Sequence, residues 1–115
     1  MGTESKGILV IGACAKEAQD LMMQLLSEDH SVIAYDNLSR HGFASKDKLP
    51  KGVEFIFGDV RDEVMLSRVI KDKNIGIIYN FAHVSADSSF DDFEINFGAK
   101  LKLKKICEQT GVVLR

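Results

Sequence analysis

The run from Gly7 to Gly12, GILVIG, is apolar at every position between its glycines and passes directly into a helical pattern. A strand with one face in water alternates apolar and polar residues, whereas a continuous apolar run marks a strand covered on both faces. From Ala15 to Glu28 the apolar residues Ala18, Leu21, Met22, Leu25 and Leu26 fall at helical spacing and form one stripe. Asp29 is a tolerable stop, because Asp enters the left-handed conformation more readily than most residues. A doubly covered strand feeding a one-sided helix through a single glycine is the start of a parallel α/β arrangement.

The rest of the chain repeats that alternation. SVIAYD reads as a second strand, NLSRHGFASKDKLPKG as a polar connection with room for a short helix, and VEFIFGD as a third strand. Asp62 is placed to cap the helix EVMLSRVIKDK, with Val64, Val69 and Ile70 on one side. IGIIYNFA is a fourth strand. After the polar segment HVSADSSFDD, a last helix is expected from about Phe93 to Gln109, with Ile95, Ala99, Leu103 and Ile106 at helical spacing and Gly111 as its stop. Right-handed crossovers between such elements imply a doubly wound α/β fold with a parallel sheet of about four to five strands.

At 115 residues the chain fits a single domain, 1–115, able to bury a core without disulfide or metal staples. Lys and Arg total 15 against 17 for Asp and Glu, a net charge of -2 spread along the chain, which argues against a nucleic-acid or membrane surface. The lysines of KLKLKK interleave with apolar positions and read as a solvated helix face. Cys14 and Cys107 lack the spacing of a metal knuckle or redox pair and are expected as reduced thiols in a cytoplasmic protein. MGTESKG lacks the apolar core of a signal peptide, and no apolar stretch approaches the ~20 residues that span a bilayer.

Three landmarks stand at strand ends: Gly12 after the first, Asp36 after the second and Asp59 after the third. In a dinucleotide-binding βαβ unit, an acidic residue roughly 20 positions beyond the first glycine accepts hydrogen bonds from a ribose, and Asp36 lies in that range. In this order the chain carries YDNLSRHG, GVEFIFGDVRDE, IIYNFAHVS and INFGAKLKLKKICEQTGV. The ordered set resembles the N-terminal Rossmann part of the extended short-chain dehydrogenase/reductase family, specifically its NAD-dependent nucleotide-sugar epimerases and dehydratases, over nearly the whole chain.

The resemblance implies strand order 3-2-1-4 and an NAD site. It implies Asp36 on the adenosine ribose, with Asn37 and Ser39 nearby, Asp59 at the adenine amino group and Val60 beside the ring. Phe81 and Ala82 would form the wall under the pyrophosphate and nicotinamide ribose, and Asn96 would help position the end of that strand. Asp36 would repel a 2′-phosphate, favouring NAD over NADP, an effect that Arg40 could soften.

The family's three loop glycines correspond to Gly12, Ala15 and Ala18. Ala is a common substitute at the third, but a methyl group at Ala15 narrows the backbone's approach to a pyrophosphate. Lys16 and Glu17 replace two apolar residues. The Glu17 carboxylate competes with a phosphate for the positive end of the helix, while Lys16 either offers the phosphate an ammonium or belongs to a solvated helix start. In Asn80 to His83, NFAH, an imidazole stands where the family has a small residue.

The family's catalytic Tyr-x-x-x-Lys pair is absent, because Ser39 and His83 follow Tyr35 and Tyr79 by four residues. GVVLR ends where a fifth strand is expected to begin, truncating the fold before the catalytic half and leaving IGIIYNF as an open edge for homo-oligomer pairing. The expected function is dinucleotide binding without catalysis. Two other readings stay open: an interaction or assembly module with a decayed pocket, and a sensor of a smaller adenine nucleotide.

Overall fold

The structure, a computed structural model, describes residues 6–38, 43–82 and 98–115. Ser39, Arg40, His83, Asn96 and the first part of the expected last helix lie outside the described residues. The elements are β1 Gly7–Ile11, α1 Lys16–Ser27, β2 Val32–Asp36, a 3-10 turn Phe43–Lys48, β3 Glu54–Phe57, α2 Glu63–Asp72, β4 Ile75–Asn80, α3 Ala99–Thr110 and β5 Val113–Leu114. They form a five-stranded sheet ordered β3-β2-β1-β4-β5 in which every pair is parallel. The fold is the expected Rossmann-type α/β arrangement.

Because side chains alternate across a strand, the continuous apolar run of β1 supplies two cores at once. Ile8 and Val10, with Val32 and Ala34 of β2, pack against Ala18, Met22 and Leu25 of α1. Leu9 and Ile11, with Ile33 and Tyr35, belong to the opposite core with Leu66, Val69 and Ile70 of α2 and Leu103, Ile106 and Cys107 of α3. The lysines flanking Leu103 are exposed, as expected of a solvated helix face.

The helix ends follow local chemistry. Met65 N–H donates to Asp62 Oδ1 at 3.0 Å, the expected cap of α2. Asp29 takes a left-handed φ of 65° just beyond α1. Gly111, at φ 78°, ends α3 and donates its N–H to the Cys107 carbonyl at 2.9 Å.

Two expectations are corrected. Val64, expected on the buried side, is 69% exposed, and Leu66 is buried in its place; residues 66, 69 and 70 follow the i, i+3, i+4 rule, whereas 64 lies two residues, or about 200°, away from 66. The second concerns the sheet edge. GVVLR does not stop short of a fifth strand: Val113 and Leu114 pair with Ile77 and Ile78, and Arg115 N–H donates to the Ile78 carbonyl at 2.8 Å. The left-handed turn at Gly111 and the buried Val112 swing the chain out of α3 directly onto β4. The middle of β4 is therefore paired, and the outer side of the sheet there belongs to β5.

Candidate functional site

β1 has β2 on one side and β4 on the other, and the crossovers from these strands leave toward opposite faces. Their carboxyl ends flank the switch point, the place where open parallel sheets leave a crevice for ligands. Gly12 sits there at φ 73°. A Cβ on Gly12 would lie 2.6 Å from Ala82 N and 2.7 Å from Phe81 C, both main-chain atoms of the segment leaving β4. The turn therefore needs glycine twice, for its φ and for the approach of the neighbouring backbone. Phe81 N–H donates to the Ile11 carbonyl at 2.7 Å, and Ala82 N–H donates to Asn80 Oδ1 at 2.9 Å, which fixes that approach.

Asp36, at the end of β2, is only 9% exposed. Its Oδ2 accepts the Cys14 N–H of the β1–α1 loop at 3.0 Å, and its Oδ1 accepts the Leu38 N–H at 2.7 Å. Gly12 and Ala13 N–H both donate to the Tyr35 carbonyl, at 2.9 and 3.3 Å. The glycine turn is thus tied to the end of β2 by main chain and carboxylate together. Leu38 is held at a left-handed φ of 64°, uncommon for a bulky residue, and its side chain is buried.

Asp59, beyond β3, is surrounded by donors. Its Oδ1 accepts Arg61 N–H at 2.8 Å and Arg61 Nε at 3.0 Å; its Oδ2 accepts Arg61 Nη2 at 2.8 Å and Asn37 Nδ2 at 3.2 Å. The Arg61 guanidinium hydrogen-bonded to it, with Asn37 contributing less, holds the Asp59 carboxyl below the usual carboxylate range. The buried Tyr35 hydroxyl donates to the Asp59 carbonyl at 2.8 Å. Burial, reinforced by the charges of Asp62 and Asp59, pushes the Tyr35 pKa far above that of an ordinary tyrosine, so the phenol stays neutral.

The N-terminus of α1 opens toward the same end of the sheet. Ala15 occupies the cap position with an extended backbone and no side-chain hydrogen bond, so the first-turn N–H groups have no side-chain cap. Gln19 Nε2 donates to the Cys14 carbonyl at 3.1 Å and steadies the loop from the helix side. Lys16 lies 3.9 Å from Asp20, both exposed, and Glu17 adds a carboxylate to the first turn.

Of the residues singled out in the sequence, Gly12, Ala15, Asp36, Asn37, Asp59, Phe81 and Ala82 stand at strand carboxyl ends or on the loops that follow them, and Lys16 opens α1 beside them. Val60 is nearby, but its side chain is 7% exposed and packs in the core. Ser39 and Asn96 lie outside the described residues. Sequence reasoning missed Arg61, Tyr35 and Asn80 as supporting groups. For Arg61 the i+2 spacing from Asp59 in GDVRD was an available signal; for Tyr35 and Asn80 the contacts are set by the tertiary fold. Among the described residues no group of three His, Cys, Asp or Glu could hold a metal ion. None of their helices is long and apolar enough to cross a membrane.

Comparison with known proteins bears directly on this arrangement. The profile of the NAD dependent epimerase/dehydratase family matches residues 8–114. CDP-paratose 2-epimerase of Salmonella typhi is 31% identical over 112 residues, which cover 89% of this chain and 32% of that protein. An epimerase of Methanothermobacter thermautotrophicus superposes with a TM-score of 0.80 at 27% identity, covering 95% of this chain and 33% of the other. UDP-glucose 4-epimerase of Thermus thermophilus, solved with NAD, gives 0.78 at 26% identity, covering 91% and 34%. The chain spans about a third of the length of these relatives. With its sheet order, glycine turn and strand-end carboxylates, this chain belongs to the NAD-dependent epimerase/dehydratase family.

Proposed function

We propose that this chain is the NAD-holding part of a nucleotide-sugar epimerase or dehydratase and performs no catalysis by itself. The observation that carries the proposal is Asp36. Its carboxylate, beside the switch point, accepts one hydrogen bond on each oxygen among the described residues. An ionised carboxylate has about four acceptor sites, so Asp36 can take ribose hydroxyls without giving up either bond. Its charge disfavours a 2′-phosphate, hence NAD rather than NADP. The Thermus thermophilus relative solved with NAD supports the same choice of cofactor.

The pyrophosphate belongs at the N-terminus of α1, where first-turn N–H groups lack a side-chain cap. Ala15 narrows the approach and Glu17 opposes the charge, so binding is weaker than with the glycine-rich loop. NAD, when bound, supplies a reversible hydride acceptor; the residues of this chain bind and orient it. The chain has no Tyr-x-x-x-Lys pair to move the substrate proton.

Calorimetric titration with NAD, ADP-ribose and adenosine tests the reading. NAD and ADP-ribose are expected to bind more tightly than adenosine, and NAD more tightly than NADP. Equal affinity for adenosine and NAD would favour a sensor of smaller adenine nucleotides. No binding of any of them would leave a scaffold with a decayed pocket.

A further inference from the structure

We propose that Asn37 sets how this chain reads the 6-position of a purine: it occupies the Asp59 acceptor site that an adenine amino group would need, and so weakens discrimination between 6-amino and 6-oxo bases. The proposal rests on the dinucleotide reading above for the class of ligand. Its structural basis is a count of acceptors. All four sites of the Asp59 carboxylate are taken, two on Oδ1 by Arg61 N and Nε, and two on Oδ2 by Arg61 Nη2 and Asn37 Nδ2. Because a carboxylate only accepts, the amide of Asn37 must turn its Nδ2 side toward it.

The two strand-end carboxylates therefore differ. Asp36 retains acceptor capacity and can add a ligand hydrogen bond, whereas Asp59 can only exchange one. The three Arg61 bonds come from a residue two positions away, two of them from its guanidinium, at 2.8 to 3.0 Å. The Asn37 bond is the longest of the four, at 3.2 Å, and comes from a single neutral donor on the loop after β2. It is the bond that an incoming amino group displaces. One bond made for one bond broken leaves little net gain for adenine over a base that offers no amino group.

The test compares NAD with nicotinamide hypoxanthine dinucleotide on the wild type, Asn37→Ala and Asn37→Ser. Wild type is expected to bind the two within about threefold of each other. Removing the competing donor is expected to raise the preference for NAD to about tenfold, the worth of one hydrogen bond to a charged acceptor. A general loss of affinity from altered ribose contacts would move both ligands together and leave the ratio as the readout. An unchanged ratio in both variants, or a wild-type preference already tenfold or more, overturns the proposal.

A ligand-free measurement checks the bond separately. Asn37 is one of the donors that hold the Asp59 carboxyl low, so the Asp59 carboxyl carbon in an NMR titration should shift its midpoint upward in Asn37→Ala. An unmoved midpoint overturns the proposal whatever the ligands do. If the midpoint moves but neither dinucleotide binds, the dinucleotide reading fails and the base-reading role falls with it. If both bind at an unchanged ratio, the role of Asn37 fails alone.

Discussion

Gly12→Ala is the sharpest probe of how β1, β2 and β4 meet. Alanine at φ 73° carries a backbone cost of about 1 kcal/mol. The methyl group would also stand 2.6 Å from Ala82 N, 2.7 Å from Phe81 C and 3.0 Å from Ala82 Cα. Reaching ordinary contact near 3.4 Å needs a displacement of about 0.8 Å by main-chain atoms. That segment is pinned by the hydrogen bond from Phe81 N–H to the Ile11 carbonyl. Overpacking of this kind costs about 1–3 kcal/mol, and weakening the pinning bond about 1 kcal/mol more. The sum is a loss of about 3–5 kcal/mol.

Gly111→Ala is the internal control. Its φ of 78° carries the same backbone cost, but nothing lies within 4 Å of a Cβ there, so about 1 kcal/mol is expected. At about 4 °C per kcal/mol for a chain of this size, Gly12→Ala should melt roughly 12–20 °C below wild type and Gly111→Ala roughly 4 °C below. Urea unfolding and thermal melts by circular dichroism measure both. If the two variants lose equal stability within about 0.5 kcal/mol, the close approach of the strand ends is refuted.

Three further outcomes are expected. A Cβ on Gly58 would overlap the Tyr35 ring, so Gly58→Ala should cost about 2–3 kcal/mol, and combination with Tyr35→Leu should cost less than the sum of the single changes in a double-mutant cycle of urea unfolding. The lowered pKa of Asp59 contributes stability that is complete above its ordinary value of 3.8 and is lost as pH falls through its native value; urea midpoints from about pH 6 to about pH 2 should therefore show the gap between wild type and Arg61→Met closing on the acid side. Ala15→Ser should supply α1 with the side-chain cap it lacks, raising stability by about 1 kcal/mol while weakening NAD binding, because hydroxyl and phosphate compete for the same N–H groups; calorimetry beside urea unfolding reads both.

The fold was legible because its signals are local and periodic. The apolar run of β1, the stripe of α1, the Asp62 cap and the Gly111 stop each follow from side-chain spacing or backbone preference within one turn or strand. Val64 was misplaced because both Val64 and Leu66 are apolar, and only packing against the sheet decides which one faces inward. The fifth strand was expected to begin at GVVLR, but its pairing with β4 was not legible there, because a two-residue strand has no periodicity and its existence depends on β4 offering an edge to pair with. In the site, the positions of Gly12, Asp36 and Asp59 at strand ends could be read from motif spacing. Their long-range partners could not, since Cys14 and Asn37 lie 22 residues from Asp36 and Asp59 respectively. That occupancy distinguishes a carboxylate able to add a ribose from one that must exchange a partner for a base.

Whether the switch point holds a dinucleotide is read out by mapping NAD onto the backbone amides by NMR. Concentration-dependent shifts are expected to concentrate at Gly12 to Ala18, at Asp36 to Leu38 and at Phe81 to Ala82, the segments that converge at the carboxyl ends of β1, β2 and β4. Shifts confined to other surfaces, or none at millimolar NAD, would contradict dinucleotide binding at the switch point.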